Sequence, residues 1–347
     1  MEHRPFVEAP AVDASISVEE QIQTYLDLWN GPALARELSR EIARAPTDAL
    51  VVDCMLLGAM AAAERSGLPW AVLVHFFCAP SVAGRWGLTW EGVRGRVNAA
   101  REAMGSDPLP PGESLLHQAW QRSSRVLVAT AEAFDVPLVS RASNVRYVGL
   151  LRPDAGSEWT WDLPWREDDP RALVCVSLST TEQRQESLLQ RILDALSSLP
   201  VGVVVTCGAV DAARLKLPPN AVARQWVPHS ALFPRASVVV THAGHGTALL
   251  AAACGVPLVC IPMGRDQHLV GERVSELGVG TVVAKDAAAE EIRGAVERVL
   301  GDPSYRERAR NLSVKIREEA AAVNAISELE ALLGSGAPEA SIPSTGG

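Results

Sequence analysis

Residues 241–267 read THAGHGTALLAAACGVPLVCIPMGRDQ, and this segment decides the fold class. A strand ending at His242, a turn with Gly244 and Gly246, a helix opened by Thr247, a Gly-Val-Pro stop and a second strand follow without a gap. The glycines let the backbone approach a ligand closely, and the free N–H groups of the helix N-terminus favour a phosphate. The segment predicts part of a wound parallel sheet whose turn binds a diphosphate, with an ordinary glycine-rich turn as the alternative.

Polar and aromatic side chains flank this segment at the same predicted sheet edge. Asp266 and Gln267 follow the second strand, and a carboxylate beside an amide can bridge adjacent sugar hydroxyls. Upstream, QWVPHSALF places Trp226 and His229 in a loop, where an aromatic face can stack on a base. Core packing of Trp226 and a backbone-bonded strand-end histidine at His242 are the alternatives that the sequence leaves open.

Strands and helices alternate on both sides of the segment, which predicts an α/β fold with two domains. After a loose opening segment and the helix end ELSREIARA, the expected strands are ALVVDC, LPWAVLVHFF, RVLVATAEAF and VRYVGL. Residues 151–170, rich in Pro, Asp and Trp, are expected to be a linker between a domain over 1–150 and a domain over 171–333. The small, polar residues 334–347 are expected to form a disordered tail.

Composition excludes several classes of function. The chain has 347 residues and a net charge of −9, with basic residues scattered singly, which argues against a nucleic-acid partner. No apolar run approaches the roughly 20 residues of a membrane span, and the start lacks a signal-peptide core, so a cytoplasmic protein with no membrane partner is expected. The six cysteines form no CxxC pair and no Asp-x-Asp pair occurs, so no metal site or disulfide is expected.

Residues 225–267 resemble the nucleotide-sugar signature of the glycosyltransferase family that includes plant and macrolide enzymes, and are most similar to actinobacterial macrolide-type glycosyltransferases. A weaker likeness extends from about Asp48 onward. The resemblance implies a GT-B fold, in which two Rossmann-like domains face a cleft, the first binding the acceptor and the second the nucleotide-sugar donor. It implies that Trp226 stacks on the base and His242 touches the diphosphate. It also implies that Asp266 and Gln267 hold the sugar and that a backbone cradle binds the phosphates: Gly244, His245, Gly246 and Thr247.

The run VSLSTTEQ after the first strand of the second domain adds further candidates. Ser179 and Thr180, with Thr181, could cap the next helix and offer hydroxyls to the diphosphate at the same time. The donor is a co-substrate, and no separate cofactor is expected.

Two departures from the family pattern change the expectations. Leu250 stands where many relatives carry a Glu that bridges the ribose hydroxyls, so a thymidine diphosphate sugar becomes more plausible than a uridine one. Val270 stands where relatives often have an Asn, which leaves the identity of the sugar open. The strand and Gly-His loop that carry the family's catalytic base are absent, so the first domain is expected to be incomplete. Asp53 matches the acid that orients this base, and His75 is the one substitute base, with a structural histidine as the alternative.

The sequence leaves two main hypotheses of function. One is an inverting, metal-independent transferase that moves a hexose or deoxyhexose from dTDP or UDP to a hydroxyl of a hydrophobic natural product. The other is a weakly active or silent sugar-nucleotide-binding protein, acting as a homodimer or as the auxiliary partner of a complete transferase. A non-hydrolysing epimerase is a third, which the Asp266-Gln267 ending does not favour. Phe76, Phe77, Trp86 and Trp90 suit an apolar acceptor or a core.

Overall fold

The computed structural model describes residues 18–79, 90–151, 160, 163–166, 168–180 and 183–334, and from residue 24 onward it also describes their side chains. Two separate parallel sheets organise these residues, one of four strands and one of six. The α/β class and the division into two sheet domains are as the alternation of strands and helices predicted.

The first sheet has the order β1-β2-β3-β4, and all of its strand pairs are parallel. Its strands are β1 Leu50–Asp53, β2 Trp70–Val74, β3 Arg125–Val128 and β4 Val145–Tyr147. The helices of this domain are α1 Val18–Asn30, α2 Pro32–Arg44, α3 Leu57–Arg65, α4 Arg94–Ala103 and α5 Leu115–Trp120. Small side chains let α2, α3 and α4 approach closely at Ala35, Ala61, Ala62 and Ala100.

The expectation of a loose opening segment was wrong for residues 18–30, because they form helix α1. Its apolar residues recur at helical spacing, as Ile22, Leu26 and Trp29 show. Helices α4 and α5 were also not anticipated. Charged residues dilute the apolar periodicity of α4, and α5 is only six residues long.

The second sheet has the order β10-β9-β8-β5-β6-β7 and is parallel throughout. Its strands are β5 Ala172–Ser177, β6 Val201–Thr206, β7 Ala221–Arg224, β8 Val238–Thr241, β9 Leu258–Cys260 and β10 Gly280–Val282. The central strands are nearly continuous valine runs, because helices cover both faces of the sheet. The strand order reverses between β5 and β8, and open α/β sheets bind ligands in the crevice at that point.

The helices of the second half are α6 Glu186–Leu196, α7 His229–Leu232, α8 His245–Ala253, α9 Gln267–Glu276, α10 Ala289–Gly301, α11 Pro303–Ala322 and α12 Ala325–Gly334. The chain returns to the first domain at its end. Leu332 of α12 packs with Ala71 and Leu127 of the first sheet, and Glu328 forms an ion pair with Arg125 at 3.0 Å. The predicted boundaries did not include this return, because an amphipathic helix does not reveal which surface it covers.

The predicted linker and the predicted disordered tail lie largely outside the described residues. Most of the predicted linker and residues 335–347 of the predicted tail cannot be compared with the structure, and Gly334 ends α12. Within the described ranges, no helix has both the length and the apolar character that a bilayer span needs.

Candidate functional site

A cavity of about 480 Å³ opens at the carboxyl edge of the second sheet, at the point where the strand order reverses. The loops that follow β5, β7, β8 and β9 form its walls. The structure brings all of the predicted donor-binding residues together here: Ser179, Thr180, Trp226, His229, His242, Gly244, His245, Gly246, Thr247, Asp266 and Gln267. Leu250 lines the same cavity, one helical turn beyond the glycine-rich segment.

The glycine-rich turn differs in detail from the sequence prediction. Helix α8 begins at His245, two residues earlier than the predicted start at Thr247, and Gly244 is its N-cap with φ −62°. Gly244 leaves room for an imidazole, since a Cβ there would lie 2.7 Å from Nε2 of His242. A Cβ at Gly246 would meet nothing within 4 Å. The first glycine is therefore needed for packing, and the second leaves the space above the helix N-terminus open.

Backbone strain clusters around this cavity. Among the described residues, the non-glycine residues with positive φ are Arg184 (φ 53°), Ala243 (φ 64°) and Arg265 (φ 56°). Each lies in a loop at the carboxyl edge of the sheet, after β5, β8 or β9 respectively. Left-handed backbone costs an L-residue about 1–3 kcal/mol and concentrates at functional sites. The clustering of strained residues indicates a ligand site. It could not be predicted from the sequence, because neither Arg nor Ala favours a positive φ.

His242 follows β8 directly and is buried. Burial lowers the pKa of His242 to about 4, helped by the positive charge of Arg265 and opposed by a hydrogen bond with the backbone of Ser177. The imidazole is therefore neutral at neutral pH, and its one N–H takes part in the hydrogen bond with the backbone of Ser177.

Trp226 and His229 occupy different environments. Trp226 lies in the loop after β7 with 64% of its surface exposed, so it does not pack in the core. His229 is the first residue of the short helix α7, where a loop had been predicted. Its Nε2 lies 3.3 Å from the hydroxyls of both Ser177 and Thr206.

The loop after β5 does not cap the next helix. Helix α6 starts at Glu186, too far along the chain for Ser179 or Thr180, so the predicted capping role was wrong. The Ser179 hydroxyl instead accepts a hydrogen bond from Nε2 of Gln183 at 2.7 Å. Thr180 is exposed at the cavity, and Thr181 lies outside the described residues.

Gln267 is buried, and both the oxygen and the nitrogen of its side-chain amide form hydrogen bonds with other residues. Its Oε1 accepts from the backbone N–H groups of Met263 (2.7 Å) and Gly264 (3.1 Å). Its Nε2 donates to Oε1 of Gln183 at 3.2 Å. Gln267 thus links the loop after β9 to the loop after β5. Sequence reasoning missed Gln183, because nothing in VSLSTTEQ distinguishes one polar residue from the next.

His245 joins the two domains. Its ring lies edge-on to Phe77 (5.2 Å between ring centroids) and Phe134 (6.0 Å), both from the first domain. Burial lowers the pKa of His245 to about 3, and Nε2 has no hydrogen-bond partner among the described residues. The resemblance assigned only its backbone a role. The side chain fixes the glycine-rich turn against the first domain.

Asp53 and His75 meet on the opposite side of the cleft. Strands β1 and β2 pair in parallel with Asp53 opposite Leu73, so the residues that follow both strands lie at one sheet edge. Nε2 of His75 lies 3.1 Å from Oδ2 of Asp53, whose Oδ1 accepts from the N–H of Met55 at 2.9 Å. The sequence named both residues but did not pair them, since the register of two short strands is not evident from their composition.

The two side chains of the pair carry opposite charges at neutral pH. Burial alone would lower the pKa of His75, but its hydrogen bonds with Asp53 and Cys54 outweigh burial and raise the pKa to about 10. For Asp53, burial acts to raise the pKa, and the hydrogen bonds from His75 and Met55 bring it below its usual value. Burial raises the pKa of Asp266 and the charge of His75 opposes this rise, whereas the same charge adds to the burial that lowers the pKa of His245.

The aromatic residues proposed for an apolar acceptor belong to the core where they are described. Phe76, Phe77 and Trp90 are all buried, and Trp86 lies outside the described residues. Of the two roles that the sequence left open for these side chains, the three described residues take the core role, because their rings pack inside the hydrophobic clusters.

Comparisons with known proteins agree with this geometry. Residues 190–332 match the family model of the erythromycin biosynthesis protein CIII-like C-terminal domain. The chain is 33% identical over 214 residues to UDP-glycosyltransferase 2 of Phaeomoniella chlamydospora, covering 58% of this chain and 46% of that one. It is 29% identical over 316 residues to 4'-demethylrebeccamycin synthase of Lentzea aerocolonigenes, covering 83% of this chain and 74% of that one.

A solved structure extends the likeness to both domains. The calicheamicin glycosyltransferase CalG4 superimposes with a TM-score of 0.75 at 26% identity, covering 96% of this chain and 84% of that one. The chain spans about half the length of the first curated relative and three quarters of the second. The chain therefore has the GT-B fold, and its sequence and structure are similar to those of macrolide-type and other antibiotic glycosyltransferases.

Proposed function

We propose that this protein transfers a hexose or deoxyhexose from a nucleoside diphosphate sugar to a hydroxyl group of a small hydrophobic acceptor, with inversion and without a metal ion. The observation that carries the proposal is the cavity at the reversal of strand order, which combines an exposed aromatic, a neutral histidine and an open helix N-terminus. These are the groups that a base, a diphosphate and its developing negative charge require.

The donor would lie with its base on Trp226 and its diphosphate over the N-terminus of α8, beside His242. The unpaired N–H groups and the dipole of the helix favour the negative charge that grows as the diphosphate leaves. Asp266 lines the same cavity at the N-cap of α9, where its carboxylate can accept from sugar hydroxyls. Gln267 acts mainly by holding this loop, since its amide oxygen already accepts two backbone N–H groups.

The Asp53–His75 pair would supply the base. Oδ2 of Asp53 accepts a hydrogen bond from the Nε2–H of His75 at 3.1 Å, which leaves the lone pair of the neutral ring on Nδ1. The acceptor oxygen attacks the anomeric carbon, the bond from this carbon to the diphosphate oxygen breaks, and the hydroxyl proton passes to Nδ1. The raised pKa keeps most of the ring protonated at neutral pH, so transfer should speed up as the pH rises toward 10.

The second candidate function is nucleotide-sugar binding with little or no transfer. The observation in its favour is the same raised pKa, because an imidazolium cannot accept a proton. The relatives named after rebeccamycin and calicheamicin favour the transferase and an antibiotic-type acceptor.

The test combines a transfer assay with calorimetric nucleotide binding on the full chain. Wild-type protein, His75→Ala and Asp53→Asn are assayed with dTDP- and UDP-hexoses and a panel of hydroxylated polyketide and polyphenol acceptors between about pH 6 and pH 10. Loss of a general base costs about 10²–10⁴ in rate, so His75→Ala should lose transfer and keep nucleotide affinity. His268→Ala, which changes an exposed histidine on α9, is the matched control and should behave as wild type.

The outcomes separate the two candidates. Transfer that rises with pH in the wild type and disappears in His75→Ala supports the base assignment. Nucleotide binding with no turnover for any pair of substrates at any pH would establish the binding protein. Equal transfer by wild type and His75→Ala would remove His75 from the chemistry.

A further inference from the structure

The Asp53–His75 pair belongs to a cluster of three side chains. Beside Asp53 and His75 lies Cys54, and the three side chains offer one carboxylate oxygen, one thiol sulfur and one imidazole nitrogen, all within 4.8 Å of one another. Asp53 and Cys54 are consecutive at the end of β1, and His75 follows β2 on the neighbouring parallel strand. The sheet register therefore holds three ligand atoms of different chemistry at one point on its carboxyl edge.

We propose that Asp53, Cys54 and His75 form a binding site for a divalent transition metal of the zinc class. Thiolate and imidazole are ligands that Zn²⁺ prefers over Mg²⁺ or Ca²⁺, and a carboxylate completes a three-residue set that leaves one tetrahedral position open. The half-exposed Asp53 and His75 leave the solvent side of the cluster accessible, and the buried Cys54 forms its floor. On binding, the Cys54 thiol releases its proton to solvent and its sulfur coordinates as the thiolate.

Neighbouring groups already orient the ligands. The N–H of Met55 donates to Oδ1 of Asp53 at 2.9 Å, which leaves Oδ2 turned toward His75. The indole Nε1 of Trp120 donates to the backbone carbonyl of Cys54 at 3.0 Å and anchors the end of β1. Hydrogen bonds of this kind hold metal ligands in place and contribute to affinity.

Metal binding at this cluster would control the proposed transfer reaction, and this consequence rests on the proposed function. A Zn²⁺ ion on Nε2 of His75 leaves the proton of the neutral ring on Nδ1. Nδ1 then has no lone pair to accept the acceptor proton. Zinc would therefore inhibit a reaction that itself needs no metal.

The test uses Co²⁺ as a spectroscopic substitute for Zn²⁺ on the full chain. Metals are first removed with a chelator, and a reductant that does not coordinate metals keeps the thiols reduced. We expect Co²⁺ to produce a near-ultraviolet band from thiolate-to-metal charge transfer, and Zn²⁺ to displace it. Cys54→Ser should abolish this band and weaken Zn²⁺ binding at least about tenfold, since even partners outside the ligand shell contribute that much. Cys78→Ser is the matched control, because Cys78 is a buried thiol of the same domain outside the cluster, and it should retain the band.

His75→Ala and Asp53→Asn provide second and third variants that do not alter the thiol, and circular dichroism checks that each variant is folded. No thiolate band in folded wild type, or a band and a Zn²⁺ affinity unchanged in Cys54→Ser, would overturn the proposal. Zinc inhibition belongs to a separate measurement. A metal that binds but leaves transfer unaffected would refute the base role of His75 and leave the metal site standing.

Discussion

Trp226 lines the cavity of the second domain, and under the proposed function its exposed ring stacks on the nucleotide base. Its loop position leaves 64% of its surface exposed, so the fold gains little from its ring. Loss of a stacked aromatic costs about 1–3 kcal/mol, by analogy with nucleic-acid bases, so Trp226→Ala should weaken binding of dTDP and UDP by roughly tenfold or more. Titration calorimetry measures the affinity, Trp226→Phe should retain most of it, and the melting temperature should not change. Equal affinity of Trp226→Ala and wild type would place the base elsewhere.

Leu250 tests which nucleotide the cavity prefers. It lies on α8 at the cavity wall and has no oxygen to accept from a ribose 2′-hydroxyl. We expect dTDP to compete at least as well as UDP in a displacement titration, and Leu250→Glu to shift the preference toward UDP. A strong preference of the wild type for UDP would mean that another side chain contacts the ribose, and Leu250→Glu should then change little.

Some residues of the site could be predicted from the sequence, and others could not. The types and order of residues in 225–267 were enough to predict Trp226, His242 and Asp266 at one sheet edge. The partners of buried polar groups could not be predicted in the same way. The hydrogen bond between Gln183 and Gln267 spans 84 positions, and the contact of His245 with Phe77 crosses between domains. Such pairs depend on the packing of loops, which periodicity and composition do not encode.

Among the structural elements, the turn from β8 to α8 carries strain at a residue that is not glycine. Ala243 is fully buried with φ 64°, a conformation that costs an L-residue about 1–2 kcal/mol. Ala243→Gly relieves this cost while deleting a buried methyl worth about 0.8 kcal/mol and adding chain entropy, so we expect stability within about 1 kcal/mol of wild type. Ala251→Gly, a buried residue in the middle of α8, has no strain to relieve and should cost about 2 kcal/mol.

Denaturant unfolding of the two variants provides the comparison. A loss in Ala243→Gly as large as that in Ala251→Gly would show that the positive φ stores no recoverable energy. The gap between the two free energies of unfolding therefore measures the strain in the turn.

The buried parallel strands were the most predictable elements, and the helices of the first domain the least. Val174, Val176 and their neighbours in β5 form an apolar run that only a strand covered on both faces accommodates. Helix α4 carries three arginines in ten residues, and one of them, Arg101, is buried because it pairs with Glu64 at 2.6 Å. An arginine is expected at the surface, so the pattern of apolar residues does not reveal which face of α4 is buried.

Across the whole molecule, the two domains meet beside a buried carboxylate. Asp135 accepts from the N–H of Cys78 and the hydroxyl of Tyr147, each at 2.9 Å, and from the N–H of Val136. Next to it, Arg273 of the second domain donates to the carbonyl of Phe134 at 3.1 Å. Burial raises the pKa of Asp135 to about 6, although these hydrogen bonds and the charge of Arg273 oppose the rise.

This raised pKa predicts a pH-dependent stability. A carboxyl that binds its proton more tightly when folded contributes stability below its unfolded pKa of about 4, and this contribution is lost as the pH rises through about 6. Relative to Asp135→Asn, wild type should therefore gain about 1–2 kcal/mol between roughly pH 7.5 and pH 5. Urea unfolding of both proteins at the two pH values measures this difference. A constant difference would mean that Asp135 titrates with an ordinary pKa.

The covered second sheet and its strained loops also have an evolutionary consequence. Some of the side chains that line the cavity, among them Thr180 and Arg265, lie in loops after the strands end and outside the hydrophobic core of this domain. A substitution at Arg184, Thr180 or Arg265 therefore leaves the hydrophobic core intact. Lineages with this scaffold can therefore exchange such loop residues through single mutations while they keep the core that folds the domain. The same separation makes these loops the segments to randomise in a directed-evolution library, with the strands held constant.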